Sequence, residues 1–288
     1  MTRMLAALAL FLFIVTPTSQ ASAQLLAAKE GPVVYGHHHL NVTSAEDAKK
    51  FWVDALGGVA ARIGTNNTEI VKFPNALVFM RVQKPTGGTK GTTVDHIAFS
   101  VKNLRQTLDR VKAGGYRIVT AAEAPPNVTV KDDIGAVDAG GVSGIAFVMA
   151  PDDVKVELLE VKAQTAPVAS HHVHFTGANQ EMKAWYMKTF GATERPSANP
   201  AAFVSAGLPG LLMNFAPAQN VAGTQGRALD HIGFEVKNLE AFVKTLESQG
   251  IKLASPLRQV PALGLTIAFI TDPWGTYIEL TEGLDKVQ

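Results

Sequence analysis

The histidines of this 288-residue chain are the residues whose type and placement most clearly suggest chemistry. All eight fall in four short segments that read as the starts of β-strands: His37, His38 and His39; His96; His171, His172 and His174; and His231. Cysteine is absent, so a transition-metal site here must use imidazole and carboxylate groups. Two neutral imidazoles and one carboxylate on one face of a divalent ion leave positions open for a substrate with two adjacent oxygens.

Strand alternation divides these histidines between two faces. In the segment "DHIAFSV" the apolar residues Ile97 and Phe99 form one face, so His96 lies on the opposite face. The same alternation leaves His38 and His171 on the apolar side of their strands. The histidines on the face that can hold a ligand are His37, His39, His96, His172, His174 and His231.

Two glutamates repeat in register with this pattern. Aligning Pro151 with Pro273 places Glu157 of "VKVELLE" over Glu279 of "TYIELTE". The regions that follow the first and third histidine clusters offer no such group, since neither Asp nor Glu occurs between residues 70 and 94 or between 195 and 229. Glu157 and Glu279 are therefore the candidate anionic ligands.

The elements that position these residues arise from an internal duplication. The segment from Val94 to Ile118 matches the segment from Leu229 to Leu253 without gaps. Each copy reads as a strand, an N-cap asparagine (Asn103 or Asn238) and an amphipathic helix that ends at a glycine. The chain is thus built from repeated strand-helix units.

The other two histidine clusters begin units of the same shape, and short β-like runs follow each predicted helix, at 76–82, 144–150, 210–216 and 266–272. We predict four βαβββ units in two consecutive pairs, joined by the proline-bearing stretch 162–169. The expected organisation is a signal peptide at 1–23, an N-terminal domain of two units at 24–163 and a C-terminal domain of two units at 164–288.

The segments "DHIAFSV", "DHIGFEV", "FWVDALGG" and "DPWGTYIELTEG" resemble the vicinal oxygen chelate superfamily, which includes glyoxalases, bleomycin resistance proteins and extradiol dioxygenases. The resemblance covers nearly all of the chain after residue 23. It implies an α+β fold in which two βαβββ units curve into an open barrel-like cup around a metal. Two such cups in tandem is the arrangement of the two-domain extradiol dioxygenases.

With consecutive units sharing a cup, the resemblance implies one metal site in each half of the chain. The two expected ligand sets are His37, His96 and Glu157, and His172, His231 and Glu279. Fe²⁺ or Mn²⁺ is favoured for such a site, and Zn²⁺ also fits it. His39 and His174 are candidates for proton transfer or for contacts behind the ligands, because histidine titrates near neutral pH.

The first unit allows two registers for its histidine ligand. The pattern Gly-His-x-His-apolar favours His37, in the position of His172, whereas counting nineteen residues back from Gly58 points to His39. We favour His37, because loops at helix ends absorb insertions more easily than strands do, and His39 stays the alternative.

The first 23 residues have the pattern of a secretory signal, with one cation, an apolar run and Ala21-Ser22-Ala23 before the cleavage position. The apolar run is well short of the ~20 residues that a membrane-spanning helix needs. Without Arg3 the 26 basic residues become 25, equal to the 25 acidic ones, so nothing indicates binding to nucleic acid or to an anionic membrane. We expect a periplasmic or secreted protein whose partner is a small molecule.

Export narrows the reactions that the resemblance allows. Glyoxalase I-type isomerisation uses a glutathione adduct, and epimerases of this fold use coenzyme A thioesters; both compounds belong to the cytoplasm. We therefore expect a metal-dependent enzyme that acts through vicinal oxygens, with dioxygenase-type chemistry ahead of lyase or isomerase chemistry. The alternative is a non-catalytic protein that binds a small molecule or a metal in the same cup.

Overall fold

The computed structural model describes residues 25–28 and 33–286. The expected signal peptide, residues 1–23, lies outside the described residues. Within the described part of the chain, no helix is both long and apolar enough to span a membrane.

Four units follow one another along the chain, each with a first strand, a helix and further strands. The first contains β1 (Val34–Val42), α1 (Ala45–Lys49) continued by a π-helical segment (Lys50–Ala55), β2 (Val59–Ile63), β3 (Thr68–Phe73) and β4 (Ala76–Val82). The second contains β5 (Val94–Val101), α2 (Leu104–Ala113), β6 (Arg117–Ile118), α3 (Thr120–Glu123), β7 (Val130–Lys131), β8 (Ile134–Gly135), β9 (Ile145–Ala150), a 3₁₀ turn (Pro151–Asp153) and β10 (Val154–Glu160).

The third and fourth units repeat this plan. The third contains β11 (Val168–Gly177), α4 (Asn179–Phe190), β12 (Thr193–Arg195), β13 (Val204–Leu208) and β14 (Leu211–Pro217). The fourth contains β15 (Leu229–Glu235), α5 (Leu239–Ser248), β16 (Leu253–Val260), β17 (Leu265–Thr271), β18 (Tyr277–Glu282) and a 3₁₀ turn (Leu284–Lys286). The α+β fold of four such units, with open sheets, is confirmed.

The helix boundaries follow the signals expected from the sequence. The side chain of Asn103 accepts a hydrogen bond from the Gln106 backbone N–H, and the side chain of Asn238 accepts one from Ala241. Each therefore caps its helix by satisfying one of the free N–H groups of the first turn. Gly115, with φ of +78°, follows the end of α2 in the left-handed conformation that glycine adopts without strain.

The four units are paired differently from the expectation. The first sheet has the strand order β16-β17-β18-β15-β1-β4-β3-β2, which joins the fourth unit to the first. The second has the order β12-β13-β14-β11-β5-β10-β9-β8-β7, which joins the third unit to the second. We call these the outer cup and the inner cup, from the positions of their units in the chain.

This topology corrects the expectation that consecutive units share a cup. The seams are antiparallel pairs between first strands, β1 with β15 and β5 with β11. The outer cup therefore takes strands from both sides of the expected boundary at residue 163, and so does the inner cup. The division into domains at 24–163 and 164–288 does not match the sheets.

One large apolar cluster joins the helices to the backs of both sheets. It includes fully buried side chains from all four units, such as Phe51, Phe99, Phe175 and Phe234. Smaller apolar clusters lie on the histidine-bearing faces of the two cups, around Phe79 and Phe269 in the outer cup and around Ile145, Phe147 and Leu159 in the inner cup. The candidate ligands therefore lie among apolar neighbours.

Candidate metal centres

The outer cup brings two histidines and a glutamate onto one buried point. Across the seam, His37 pairs with Gly233 and His39 with His231, while Gly233 pairs with Glu279 of the neighbouring strand. Glu279 Oε2 lies 3.0 Å from His37 Nε2 and 2.9 Å from His231 Nε2. The His39 ring lies beside them, 4.4 Å from the His231 ring between centroids. We call His37, His39, His231 and Glu279 the outer site.

The inner cup repeats this arrangement with its own residues. Glu157 Oε2 lies 3.2 Å from His96 Nε2 and 3.1 Å from His172 Nε2. The His174 and His96 rings are nearly parallel, with centroids 4.4 Å apart. The register of the seam is also the same, because His174 pairs with His96 as His39 pairs with His231. We call His96, His172, His174 and Glu157 the inner site.

All six residues expected to be ligands lie in these two sites, but the expected grouping is wrong. His37 was grouped with His96 and Glu157, whereas it contacts His231 and Glu279. The reason is the strand pairing, since β1 lies against β15 and β5 lies against β11. The corrected sets are His37, His231 and Glu279, and His96, His172 and Glu157.

The three consecutive histidines, His37, His38 and His39, are divided between the two faces of β1 as strand alternation predicts. His37 and His39 lie on the cup face, whereas His38 is fully buried on the opposite face. Its Nδ1 is hydrogen bonded to the Tyr35 hydroxyl, and its ring meets Phe99 edge-on. Burial lowers the pKa of His38 to about 3, so this histidine is a neutral core residue.

Replacing His38 with phenylalanine should lower the free energy of unfolding by about 1–2 kcal/mol, because it leaves the buried Tyr35 hydroxyl without its partner. Adding Tyr35→Phe should recover most of that loss, since both polar groups are then replaced together. Urea unfolding of both variants measures this. Weaker metal binding by His38→Phe would contradict the assignment of His38 to the core.

Asp95 and Asp230 are functional candidates that sequence reasoning missed. Asp230 Oδ1 lies 2.7 Å from His231 Nδ1, and Asp95 Oδ1 lies 2.8 Å from His96 Nδ1. A carboxylate accepts this Nδ1–H, fixes the ring and directs Nε2 toward the glutamate. The signal was present in the repeated dipeptide Asp-His at both duplicated strands, where the aspartate directly precedes the ligand.

Hydrogen bonding and burial shift the pKa values of His231 and Glu279 in the outer site in opposite directions. Burial lowers the pKa of His231, but hydrogen bonds to Asp230 and Glu279 raise it above its ordinary value. In Glu279, burial raises the pKa while hydrogen bonds from His231 and His37 hold it well below its usual range. Burial lowers the pKa of both His37 and His39. The site therefore contains an ionised carboxylate, two imidazoles that burial keeps neutral (His37 and His39), and a third, His231, whose proton a metal would have to displace.

Replacing Asp230 with asparagine should weaken metal binding at the outer site by about ten- to a hundredfold, because the His231 ring loses its charged acceptor. Isothermal titration with a divalent metal, in a chain whose inner site is disabled by Glu157→Gln, measures this affinity. Asp95→Asn in that same chain is the matched control and should leave the outer affinity unchanged. Equal affinity for Asp230→Asn and the parent chain would contradict the role of Asp230.

The two sites differ at the position two residues before each glutamate. In the inner cup this residue is Lys155, whose Nζ lies 2.7 Å from Asp95 Oδ1 and whose side chain is 8% exposed. In the outer cup it is Tyr277, which stacks on Phe269 with centroids 4.9 Å apart. A bound molecule would thus meet a phenol near the outer site and a buried, ion-paired ammonium near the inner one.

The residues present fit a divalent metal. In the outer site, one ligand atom from each of four residues lies within 4.8 Å of the others. In a site with bonds of about 2.1 Å, neighbouring ligand atoms lie about 3.0 Å apart, close to the 3.0 Å and 2.9 Å that separate Glu279 Oε2 from His37 Nε2 and His231 Nε2. Within the described part of the chain, the buried atoms His39 Nε2 and His174 Nδ1 have no hydrogen-bond partner, and an ion would supply one.

The chain is similar in sequence to a known family model and in fold to solved structures. The family model of the Glyoxalase/Bleomycin resistance protein/Dioxygenase superfamily matches residues 34–132 and 169–280. Glyoxalase I from Zea mays superimposes with a TM-score of 0.66 at 17% identity, over 88% of this chain and 94% of that one. A candidate dioxygenase from Bacillus subtilis superimposes with a TM-score of 0.61 at 13% identity, over 89% and 86%. No curated protein sequence matches the chain significantly.

Proposed function

The chain belongs to the Glyoxalase/Bleomycin resistance protein/Dioxygenase superfamily, and from this we propose that it is an exported, metal-dependent enzyme that acts on a small molecule through two adjacent oxygens. The observation that carries the proposal is the convergence of two imidazoles and one carboxylate on a buried point in each cup. A divalent ion held there would polarise both oxygens of the substrate.

The protein side chains would contribute binding and orientation. In the outer site, Glu279 supplies the negative charge, and Asp230 holds the His231 ring so that Nε2 faces the same point as His37 Nε2. Phe269 packs edge-on against the His231 ring, with centroids 5.2 Å apart. Such apolar walls exclude water and strengthen electrostatic interactions with a bound substrate.

The metal requirement can be tested directly. We propose Fe²⁺ or Mn²⁺, with Zn²⁺ also compatible with two histidines and one glutamate. Elemental analysis of purified protein, before and after loading with each ion, should give up to two equivalents per chain. Protein that keeps its fold and takes up none of the three ions would contradict the proposal.

The two candidate reaction classes differ in whether they consume oxygen. Dioxygenase-type chemistry predicts oxygen uptake when a catechol is added to metal-loaded protein, whereas lyase or isomerase chemistry predicts conversion of a substrate with adjacent oxygens under nitrogen. An oxygen electrode and an anaerobic assay on the same preparations distinguish the two. Tight binding of such compounds without turnover would indicate the alternative, a non-catalytic binding protein.

Export is the second part of the proposal and rests on the pattern of the first 23 residues. Mature protein from the periplasm or medium should begin at or near Gln24, which mass spectrometry of the intact chain can measure. A chain that retains Met1 and stays with the cytoplasmic fraction would refute export without affecting the proposed metal chemistry.

A further inference from the structure

Resting on the metal-dependent function proposed above, we propose that His39 and His174 are themselves metal ligands. Each ion would then be held by three imidazoles and one carboxylate instead of two imidazoles and one carboxylate. This differs from the proton-transfer role expected from the sequence, because a histidine that binds the ion through one nitrogen cannot carry a proton there. It also settles the choice between His37 and His39, since both bind.

Strand geometry brings His39 to the ion position. It follows His37 by two residues on β1, so both side chains lie on the cup face. Across the seam it pairs with His231, and the ring centroids are 4.4 Å apart. The ligand atoms of all four outer-site residues lie within 4.8 Å of one another. A six-coordinate ion with bonds of about 2.1 Å separates opposite ligands by about 4.2 Å, so a small inward movement completes the site.

The third imidazole of the outer site, that of His39, has an unpaired nitrogen. His39 Nε2 is buried and has no hydrogen-bond partner among the described residues. Leaving such a group unpaired costs about 1–3 kcal/mol, which coordination of an ion would offset. The core nitrogen His38 Nε2 is also unpaired within the described part of the chain, but unlike it His39 Nε2 belongs to a residue whose ligand atom lies within 4.8 Å of those of His37, His231 and Glu279. Phe79 lies parallel to the His39 ring, at 8° between planes and 5.7 Å between centroids, and restricts its rotation. The His39 ring therefore has two aromatic neighbours, Phe79 and His231.

The inner cup shows a similar arrangement, in which three imidazole nitrogens cluster and the glutamate contacts two of them. The nitrogens of His96, His172 and His174 lie within 4.8 Å of one another, Glu157 Oε2 lies 3.2 Å from His96 Nε2 and 3.1 Å from His172 Nε2, and His174 Nδ1 is buried without a partner among the described residues. Here the residue paired with His174 on the parallel strand is Asn214, whereas in the outer cup Phe79 is paired with His39. The third imidazole therefore keeps its place beside the Asp-supported histidine, 4.4 Å away between centroids in both cups, while its neighbour on the parallel strand changes from an aromatic to a polar residue.

This ligand set bears on the reaction class. An ion such as Fe²⁺ or Mn²⁺ commonly takes six ligands, and three protein ligands leave three positions for other molecules. Four protein ligands leave two, which a substrate with two adjacent oxygens would fill alone. The inference therefore favours lyase or isomerase chemistry over a reaction in which a second small molecule shares the ion.

The test counts imidazoles around the ion in unmodified protein. X-ray absorption spectra of Zn²⁺-loaded protein should show three imidazole rings per ion as the average of both sites. A count of two would overturn the inference and leave the proposed metal-dependent function standing. Failure to take up Zn²⁺, Mn²⁺ or Fe²⁺ would overturn both.

A substitution gives an independent measurement at one site. The inner site is first disabled by Glu157→Gln. In that chain, His39→Leu should weaken Zn²⁺ binding at the outer site at least about tenfold, by analogy with other metal-site changes. It should also reduce the number of imidazole rings per ion from three to two. His38→Phe, next to it but on the opposite face, is the matched control and should keep three. Unchanged affinity and count for His39→Leu would overturn the inference. If His39→Leu fails to fold, the count in unmodified protein decides.

Discussion

Replacing Glu279 with glutamine is expected to empty the outer site while the inner site stays loaded. The substitution keeps the size of the side chain but removes its charge, which is the negative charge that contacts both His37 Nε2 and His231 Nε2. A divalent ion at this position should lose at least about tenfold in affinity, as metal sites do when a supporting group is changed. The stoichiometry measured by elemental analysis should fall from two ions per chain to one.

The inner site and an exposed glutamate supply the controls for this experiment. Glu157→Gln should remove the inner ion instead, and the chain with both substitutions should bind none. Glu240→Gln, an equal change in an exposed ion pair with Lys244 on α5, should keep both ions. Two ions per chain in the doubly substituted protein would show that neither glutamate is a ligand.

Gly233→Ala is expected to disable the outer site through a steric clash. A Cβ at position 233 would lie 2.0 Å from Cε1 of His37 and 2.2 Å from Nδ1 of the same ring, so the imidazole must move away from Glu279. We expect loss of the outer ion, as for Glu279→Gln, together with a destabilisation of about 1–3 kcal/mol from overpacking. Metal titration and thermal unfolding of the substituted chain measure the two effects.

The inner cup supplies the comparison for this prediction. Ala98 pairs with His172 as Gly233 pairs with His37, so the inner cup already accepts a methyl group at the corresponding position. There, His172 Nδ1 lies 2.9 Å from His171 Nδ1, whereas His37 Nδ1 has no hydrogen-bond partner among the described residues. Ala98→Gly should leave the inner ion in place. Full metal binding by Gly233→Ala would show that His37 can relocate without leaving the site.

The sequence alone predicts the side chains of the two sites but not how they are grouped. Period-two alternation is a local property, so it places His37 and His39 on one face and His38 on the other without knowledge of the fold. The repeated register of Glu157 and Glu279 is equally local. Each first strand, however, has the same pattern, and no local signal selects which of the other first strands it will pair with across the seam.

The roles of the two aspartates needed the structure for a different reason. Asp230 lies next to its histidine in the chain, and alternation alone would send it to the opposite face of the strand. It contacts His231 because its carboxylate turns back at the strand end, where it also accepts a hydrogen bond from the Gly226 backbone N–H. Side-chain geometry of this kind follows from tertiary contacts, which a pattern of residue types does not contain.

The nested order of the units sets the order in which the two cups can be completed as the chain emerges. The inner cup is one continuous stretch, from β5 to β14, and every strand it needs lies before residue 218. The outer cup cannot be completed until β15 and β18 have followed, and β1 must close a loop of nearly 190 residues to find β15. Contacts so distant in sequence form slowly. Until then one edge of β1 is unpaired and open to strands of other chains, so the first unit made is the last to be protected from aggregation.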